Sequence, residues 1–150
     1  QVARDMMAMS DTISRIIGTD AAQNVGLVGV GYLGRALLSY RGFEERGFHA
    51  AAAFDTDIEK VGRVFAGCRC YSLDDLERVI AEADIRILVL AAQPEGLQSV
   101  VDRAAAAGVR GFLNFVPKRI ASPAGCFVEP IDISAKLEKL SFLSRREQSD

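Results

Sequence analysis

Four short apolar runs, NVGLVG (24–29), HAAAAF (49–54), RILVLA (86–91) and GFLNF (111–115), recur along the chain without internal polar/apolar alternation. A strand with one wet face alternates and a strand buried on both faces does not, so these runs predict parallel strands covered by helices above and below. The intervening segments carry helix start and stop signals. One spans 32–46 and is closed by Gly47; a second spans 73–83, opened by Ser72 with Asp75 at capping-box spacing; a third spans 95–107, led in by Pro94 and ended by Gly108. A short helical turn after Asp57 and a weak strand over 68–71 fill the remaining crossover. The expected class is α/β, a Rossmann-like doubly wound, mainly parallel sheet of five to seven strands with helices on both faces.

Both ends carry further helical patterns. Met6, Met9, Ile13, Ile16 and Ile17 recur at spacings of three and four before Gly18. After Ser134, a candidate cap, Leu137, Leu140 and Leu143 form a narrow stripe among Lys136, Glu138, Lys139, Arg145 and Arg146. That stripe suits either the chain's own sheet or a helix of a second copy. The expected division is an N-terminal linker or helix over 1–23, a nucleotide-binding domain over 24–133 and a C-terminal helix over 134–150.

Composition narrows the function classes. The longest apolar run, 87–92, falls far short of the roughly 18 residues that cross a bilayer, and the first ten residues lack a signal peptide's apolar core. The expectation is a cytoplasmic protein without membrane contact. Three cysteines, Cys68, Cys70 and Cys126, are too few and odd in number for a disulfide framework, and with the lone His49 they supply no zinc set. Eighteen basic against twenty acidic residues give no long-range field for gathering nucleic acid.

The chemistry concentrates where the first run meets the first helix. Gly29-Val30-Gly31-Tyr32-Leu33-Gly34 matches G-x-G-x-x-G at that junction. Gly29 permits the tight turn, Gly31 allows close approach of a pyrophosphate, Gly34 lets helix and strand pack, and the free N–H groups at the helix start take the phosphates. Asp55 ends the second run about twenty residues on, where a Rossmann-type site places its ribose-binding acid. The bland alternative is a plain strand-to-helix turn with Asp55 capping the next helix. Asp55, Thr56 and Asp57 place negative charge beside the adenosine ribose, so NAD(H) is expected over NADP(H), with Arg63 the residue able to upset that choice.

Ligands of such sheets sit at the carboxyl ends of the strands, which directs attention to Ala91-Ala92-Gln93-Pro94 and to Asn114-Phe115-Val116-Pro117-Lys118 as borders of the nicotinamide half. His49 begins its strand and belongs to the opposite rim. With no Tyr-x-x-x-Lys pair, no placed histidine and no carboxylate dyad, Lys118 alone could act as an electrophile, and the site reads as binding without turnover. Tyr40 is either a half-buried core tyrosine or a functional one. Cys68 and Cys70 point the same way on a strand, which makes a thiol switch conceivable.

Longer strings are more specific. VGVGYLGRALLSYRGFEERGF, FDTDIEKVG, GVRGFLNFVP and VEPIDISAKLEKLSFL together resemble the NAD(H)-sensing domain of the Rex redox-responsive transcriptional repressors, from about Asp11 to Leu143. The family's A-L-x-x-Y-x-x-F helix is met by Ala36, Leu37, Tyr40 and Phe43, and its N-F-x-P loop by Asn114, Phe115 and Pro117. The resemblance implies an NADH/NAD+ sensor that is no enzyme and a homodimer formed by exchange of the C-terminal helix. It also implies DNA as a partner only where a winged-helix domain is present in the full-length protein. On it, Gly29 to Gly34 hold the pyrophosphate, Asp55 the ribose, and Tyr40 and Asp132 link subunits in one redox state. Two other classes compete: the nucleotide-binding domain of an NAD-dependent oxidoreductase, which needs a substrate domain bearing a general acid, and a CoA-binding domain, which needs basic residues for a 3′-phosphate.

Overall fold

The computed structural model describes residues 23–148. Strand β1 (Gln23–Val28) is followed by helices α1 (Tyr32–Ser39) and α2 (Gly42–Glu45) and by β2 (Phe48–Asp55). A two-residue strand β3 (Val64–Phe65) and β4 (Cys68–Ser72) lead into α3 (Leu76–Ala83), β5 (Ile85–Leu90), α4 (Leu97–Ala107), β6 (Gly111–Asn114), β7 (Phe127–Pro130) and α5 (Ile133–Gln148). Among these residues the strands form one sheet in the order β3-β4-β2-β1-β5-β6-β7, parallel throughout except for the β3/β4 pair. Strand order reverses at β1, so a crevice opens between the carboxyl ends of β1 and β5, where doubly wound sheets bind their ligands.

The absence of alternation in the strand sequences is explained by apolar packing on both sheet faces. Val28, Phe54, Leu88 and Leu90 face α3 and α4 in one core cluster. Leu27, Ala53, Cys68 and Cys70 pack with Leu37 of α1 and with Phe65 in the other. The α3/α4 side carries the larger core cluster, whereas α1 and α2 are short and leave an apolar groove lined by Leu27, Leu37, Phe43, Phe48, Ile87 and Val89.

Several local expectations are corrected. The helix expected over 32–46 is two, because Tyr40 turns to an extended conformation (φ −78°, ψ 110°). Its ring then packs edge-on to Phe43 at 4.9 Å and over Gly42, where a Cβ would overlap the ring. Ser72 Oγ accepts from the Asp74 N–H at 3.2 Å, but the first turn is a 3-10 turn (Leu73–Asp75) and Asp75 pairs with Arg78 instead of closing a capping box. Helix α4 starts two residues late, since Gly96 at φ +70° lies outside it. Helix α5 starts at Ile133, and its cap is Asp132 rather than Ser134: Asp132 Oδ1 accepts from the Ala135 N–H at 2.9 Å. The N-terminal helical pattern from Met6 to Ile17 lies outside the described residues. No helix among those described is long and apolar enough to cross a membrane.

Candidate functional site: the glycine turn and its two flanking loops

At the end of β1 the chain turns on Gly29, whose φ of +100° favours glycine. The Gly29 N–H donates to the Phe54 carbonyl at 2.8 Å, tying the turn to β2. A Cβ at Gly29 would overlap Ala92 of the loop after β5, and that loop is itself folded back, with the Ala91 and Ala92 N–H groups donating to the Val28 carbonyl at 2.9 and 3.2 Å. A Cβ at Gly34 would overlap the Gly29 carbonyl oxygen. Two of the three fingerprint glycines are therefore required by the protein's own packing.

Gly31 differs. It has an extended backbone (φ −94°, ψ −156°), and a Cβ built on it would meet nothing within 4 Å. Its space is open to an incoming group. Gly31 is also the residue preceding α1; no side chain caps that helix and no acidic residue occupies its first turn. The first-turn N–H groups and the positive end of the helix dipole thus carry no cap and no acid of the helix's own, the arrangement that receives phosphate.

Asp55 reaches across from the end of β2. Its Oδ2 accepts from the Val30 N–H at 2.8 Å and its Oδ1 from the Asp57 N–H at 2.9 Å. The carboxylate is pinned beside the glycine turn, and each oxygen keeps a lone pair for a further donor. The Lys60 ammonium lies 3.9 Å from Asp55 Oδ2 and 4.0 Å from Asp57 Oδ2. Sequence reasoning missed Lys60 and named Arg63, whose guanidinium instead stacks on the Phe65 ring at 5.1 Å. The cause is the turn after Asp57: the Lys60 and Val61 N–H groups donate to the Asp57 carbonyl and bring the lysine back over the acids.

The loop after β6 is shaped by Asn114, the buried polar side chain among the described residues. Its Oδ1 accepts from the Val116 N–H at 2.9 Å and its Nδ2 donates to the Lys118 carbonyl at 2.9 Å, so both ends of the amide are used to hold the loop. Phe115 is tied to β5 through its N–H to the Leu90 carbonyl at 3.0 Å. Leu33 of the glycine turn, Asn114, Phe115, Pro117, Lys118 and Asp132 line one cleft of about 690 Å³. The structure thus joins the glycine turn to the loop after β6 and adds Asp132. Tyr40 is not part of that cleft; it lines a pocket with Phe43 and His49 at the far end of α1.

Other candidates are placed away from this chemistry. His49 stands near the start of β2, 3.9 Å from Glu44. Cys68 and Cys70 share a face, as their spacing requires, but that face is core, and both thiols are buried. Burial first and the neighbouring Cys70 second push the Cys68 thiol up to about 11, and burial with the Asp55 charge raises Cys70. A thiol held protonated is a poor nucleophile, which removes the physical basis for a thiol switch.

This combination of turn, acid and loops has known relatives. Residues 20–118 match the family model described as a CoA binding domain. The redox-sensing transcriptional repressor Rex of Rhodopirellula baltica is 40% identical over 141 residues, covering 94% of this chain and 60% of that protein. Rex of Carboxydothermus hydrogenoformans is 36% identical over 146 residues, covering 97% of this chain and 70% of that protein. The chain belongs to the Rex family of redox-sensing transcriptional repressors. Among solved structures, RSP, a Rex-family repressor, in complex with β-NADH superimposes with a TM-score of 0.81 at 27% identity, covering 92% of this chain and 67% of that one. The same repressor with β-NAD+ and operator DNA gives 0.80. The fold is therefore the Rossmann-like one of a Rex nucleotide domain, and the chain spans about three-fifths of the length of the R. baltica Rex.

Proposed function

We propose that this chain is the NADH/NAD+-sensing domain of a Rex-type repressor, binding the dinucleotide without turning it over. The observation that carries the reading is the open space at Gly31 before an uncapped helix start, with the Asp55 carboxylate fixed alongside. The pyrophosphate lies against Gly29 to Gly34, including Val30, Tyr32 and Leu33. The adenosine ribose bonds to Asp55 near Thr56 and Asp57. The nicotinamide half is bordered by Ala91, Ala92, Gln93 and Pro94 on one side and by Asn114, Phe115 and Pro117 on the other. Lys118 lines the cleft as a candidate electrophile, but the carboxylate that lines it too, Asp132, is engaged as the cap of α5, which supports sensing over catalysis.

In this reading the chain works as a homodimer through α5, whose Leu137, Leu140, Phe142 and Leu143 are exposed. Tyr40 and Asp132 line different clefts of one chain, so a switch bond between them is one made across two copies. RSP binds operator DNA as well as the nucleotide, and DNA is a partner here where a winged-helix domain accompanies this one.

The family-model description favours CoA as the second reading. Calorimetric titration with NADH, NAD+, NADPH and CoA decides between them. Binding of NADH and NAD+ with little heat from CoA is the expected result. CoA binding without NADH binding overturns the proposal.

A further inference from the structure

A Rossmann-type site selects between NAD(H) and NADP(H) at the adenosine ribose, where an acid repels the 2′-phosphate and a cation attracts it. Here both are present. The Lys60 ammonium lies 3.9 Å from Asp55 Oδ2 and 4.0 Å from Asp57 Oδ2. The three groups are not a mobile surface trio. Asp55 is pinned by two backbone N–H groups, Asp57 Oδ1 accepts from the Glu59 N–H at 3.0 Å, and the Lys60 N–H donates to the Asp57 carbonyl at 3.0 Å. The Lys60 side chain is 25% exposed and that of Asp55 14%, while Asp57, at 45%, forms the outer side of the cluster. Arg35 and Arg63 are engaged elsewhere, stacked on the Phe65 ring at 4.9 and 5.1 Å.

We propose that Lys60 is a specificity-determining residue of the dinucleotide site: a phosphate-binding cation already in place at the ribose edge and held silent by Asp55 and Asp57. This rests on the dinucleotide reading above. With both acids charged, the cluster carries a formal charge of −1 and rejects a 2′-phosphate. Without the Asp55 charge, the ammonium faces the ribose edge with a single counter-charge and accepts that phosphate. Selectivity is then decided by one carboxylate, and the gain on removing it depends on Lys60.

The test compares NADH and NADPH affinities by fluorescence titration of the whole chain, unaltered and as Asp55→Asn, Lys60→Met and the double variant, with thermal unfolding of each as a check on folding. Asp55→Ser repeats the first arm should the Asn variant not fold. Asp55→Asn is expected to tighten NADPH roughly ten- to 150-fold, the range of one charge-assisted bond, while NADH weakens. The double variant is expected to lose that NADPH gain, and Lys60→Met alone to widen the preference for NADH. An NADPH gain that persists in the double variant, or no gain in Asp55→Asn, overturns the role of Lys60 while NADH binding by the unaltered chain leaves the dinucleotide reading standing. No NADH binding by the unaltered chain overturns both.

Discussion

Gly31 and Gly34 belong to the same fingerprint, yet the structure assigns them opposite sensitivities. Valine at Gly31 places its Cβ in open space on an extended backbone of φ −94°, ψ −156°, in the negative-φ half of the map open to L residues. The fold should register the change by about 0.5 kcal/mol or less. The dinucleotide should register it strongly, because the added methyls stand where the pyrophosphate approaches the first-turn N–H groups. Loss of one charge-assisted bond of about 1.5–3 kcal/mol weakens Kd roughly ten- to 150-fold.

Gly34→Ala reverses the pattern. Its Cβ overlaps the Gly29 carbonyl oxygen, which is backbone and cannot rotate away. Overpacking of this kind costs about 1–3 kcal/mol, and at this chain length each kcal/mol lowers Tm by roughly 2–4 °C. Calorimetric NADH titration and thermal unfolding of both variants measure the two effects separately. A Gly31→Val chain that keeps its unfolding temperature and binds NADH with unchanged affinity would refute the placement of the pyrophosphate. A Gly34→Ala chain as stable as the parent would refute the close approach of α1 to the turn.

The buried thiol and the last helix each give a further expected outcome. The Cys68 thiol is raised to about 11 in the folded chain, above the ordinary thiol value, so the fold keeps its full contribution below pH 9 and loses it progressively as pH rises towards 11. Denaturant unfolding at pH 8 and pH 11 should show a loss of order 2 kcal/mol that Cys68→Ala lacks; an equal loss in that variant would assign the effect elsewhere. Paired Leu137→Glu and Leu140→Glu substitutions, at positions 61% and 56% exposed in the single chain, should shift sedimentation from dimer to monomer and remove the concentration dependence of unfolding that a dimer confers. A parent chain that sediments as a monomer at every concentration would remove α5 as the interface.

The buried strands were legible because burial on both faces leaves its mark on composition: β1, β2, β5 and β6 are apolar runs bounded by glycine or a turn residue. Strand β7 was not. Its sequence is FVEP with exposed ends, and Pro130 is tolerated because the strand lies at the sheet edge, where one side needs no ladder donor. The break between α1 and α2 was hidden for a related reason: Tyr40, Gly42 and Phe43 satisfy a helical period, and only the ring of Tyr40 settling on Phe43 over Gly42 makes the extended residue favourable. In the site, positions set by a strand end, such as Gly29, Asp55 and Asn114, could be inferred by counting. Lys60 could not, because its distance to Asp55 depends on how tightly the turn after Asp57 closes, and that is a property of hydrogen bonds rather than of residue types.

The unequal dressing of the two sheet faces bears directly on sensing. On one face, α3 buries Leu76, Val79 and Ile80 and α4 buries Leu97, Val100, Val101 and Ala104, and the two are clamped together by Arg103, which donates to Glu77 and to the Leu73 carbonyl. On the other, α1 buries only Gly34 and Leu37. The helix whose first turn faces the phosphate site is therefore the least anchored of the three. Its other end carries Tyr40 and borders the apolar groove. A ligand that shifts an equilibrium must act on an element with low resistance and must do so by binding its states unequally. Helix α1 meets the first requirement by its packing and, on the proposed placement of the pyrophosphate, the second by presenting its first-turn N–H groups to the phosphates. Hydrogen exchange should accordingly show amides of α1 opening faster than those of α3 and α4 in the free chain and gaining the larger protection with NADH. Equal protection of all three helices, with or without NADH, would place the responsive element elsewhere in the fold.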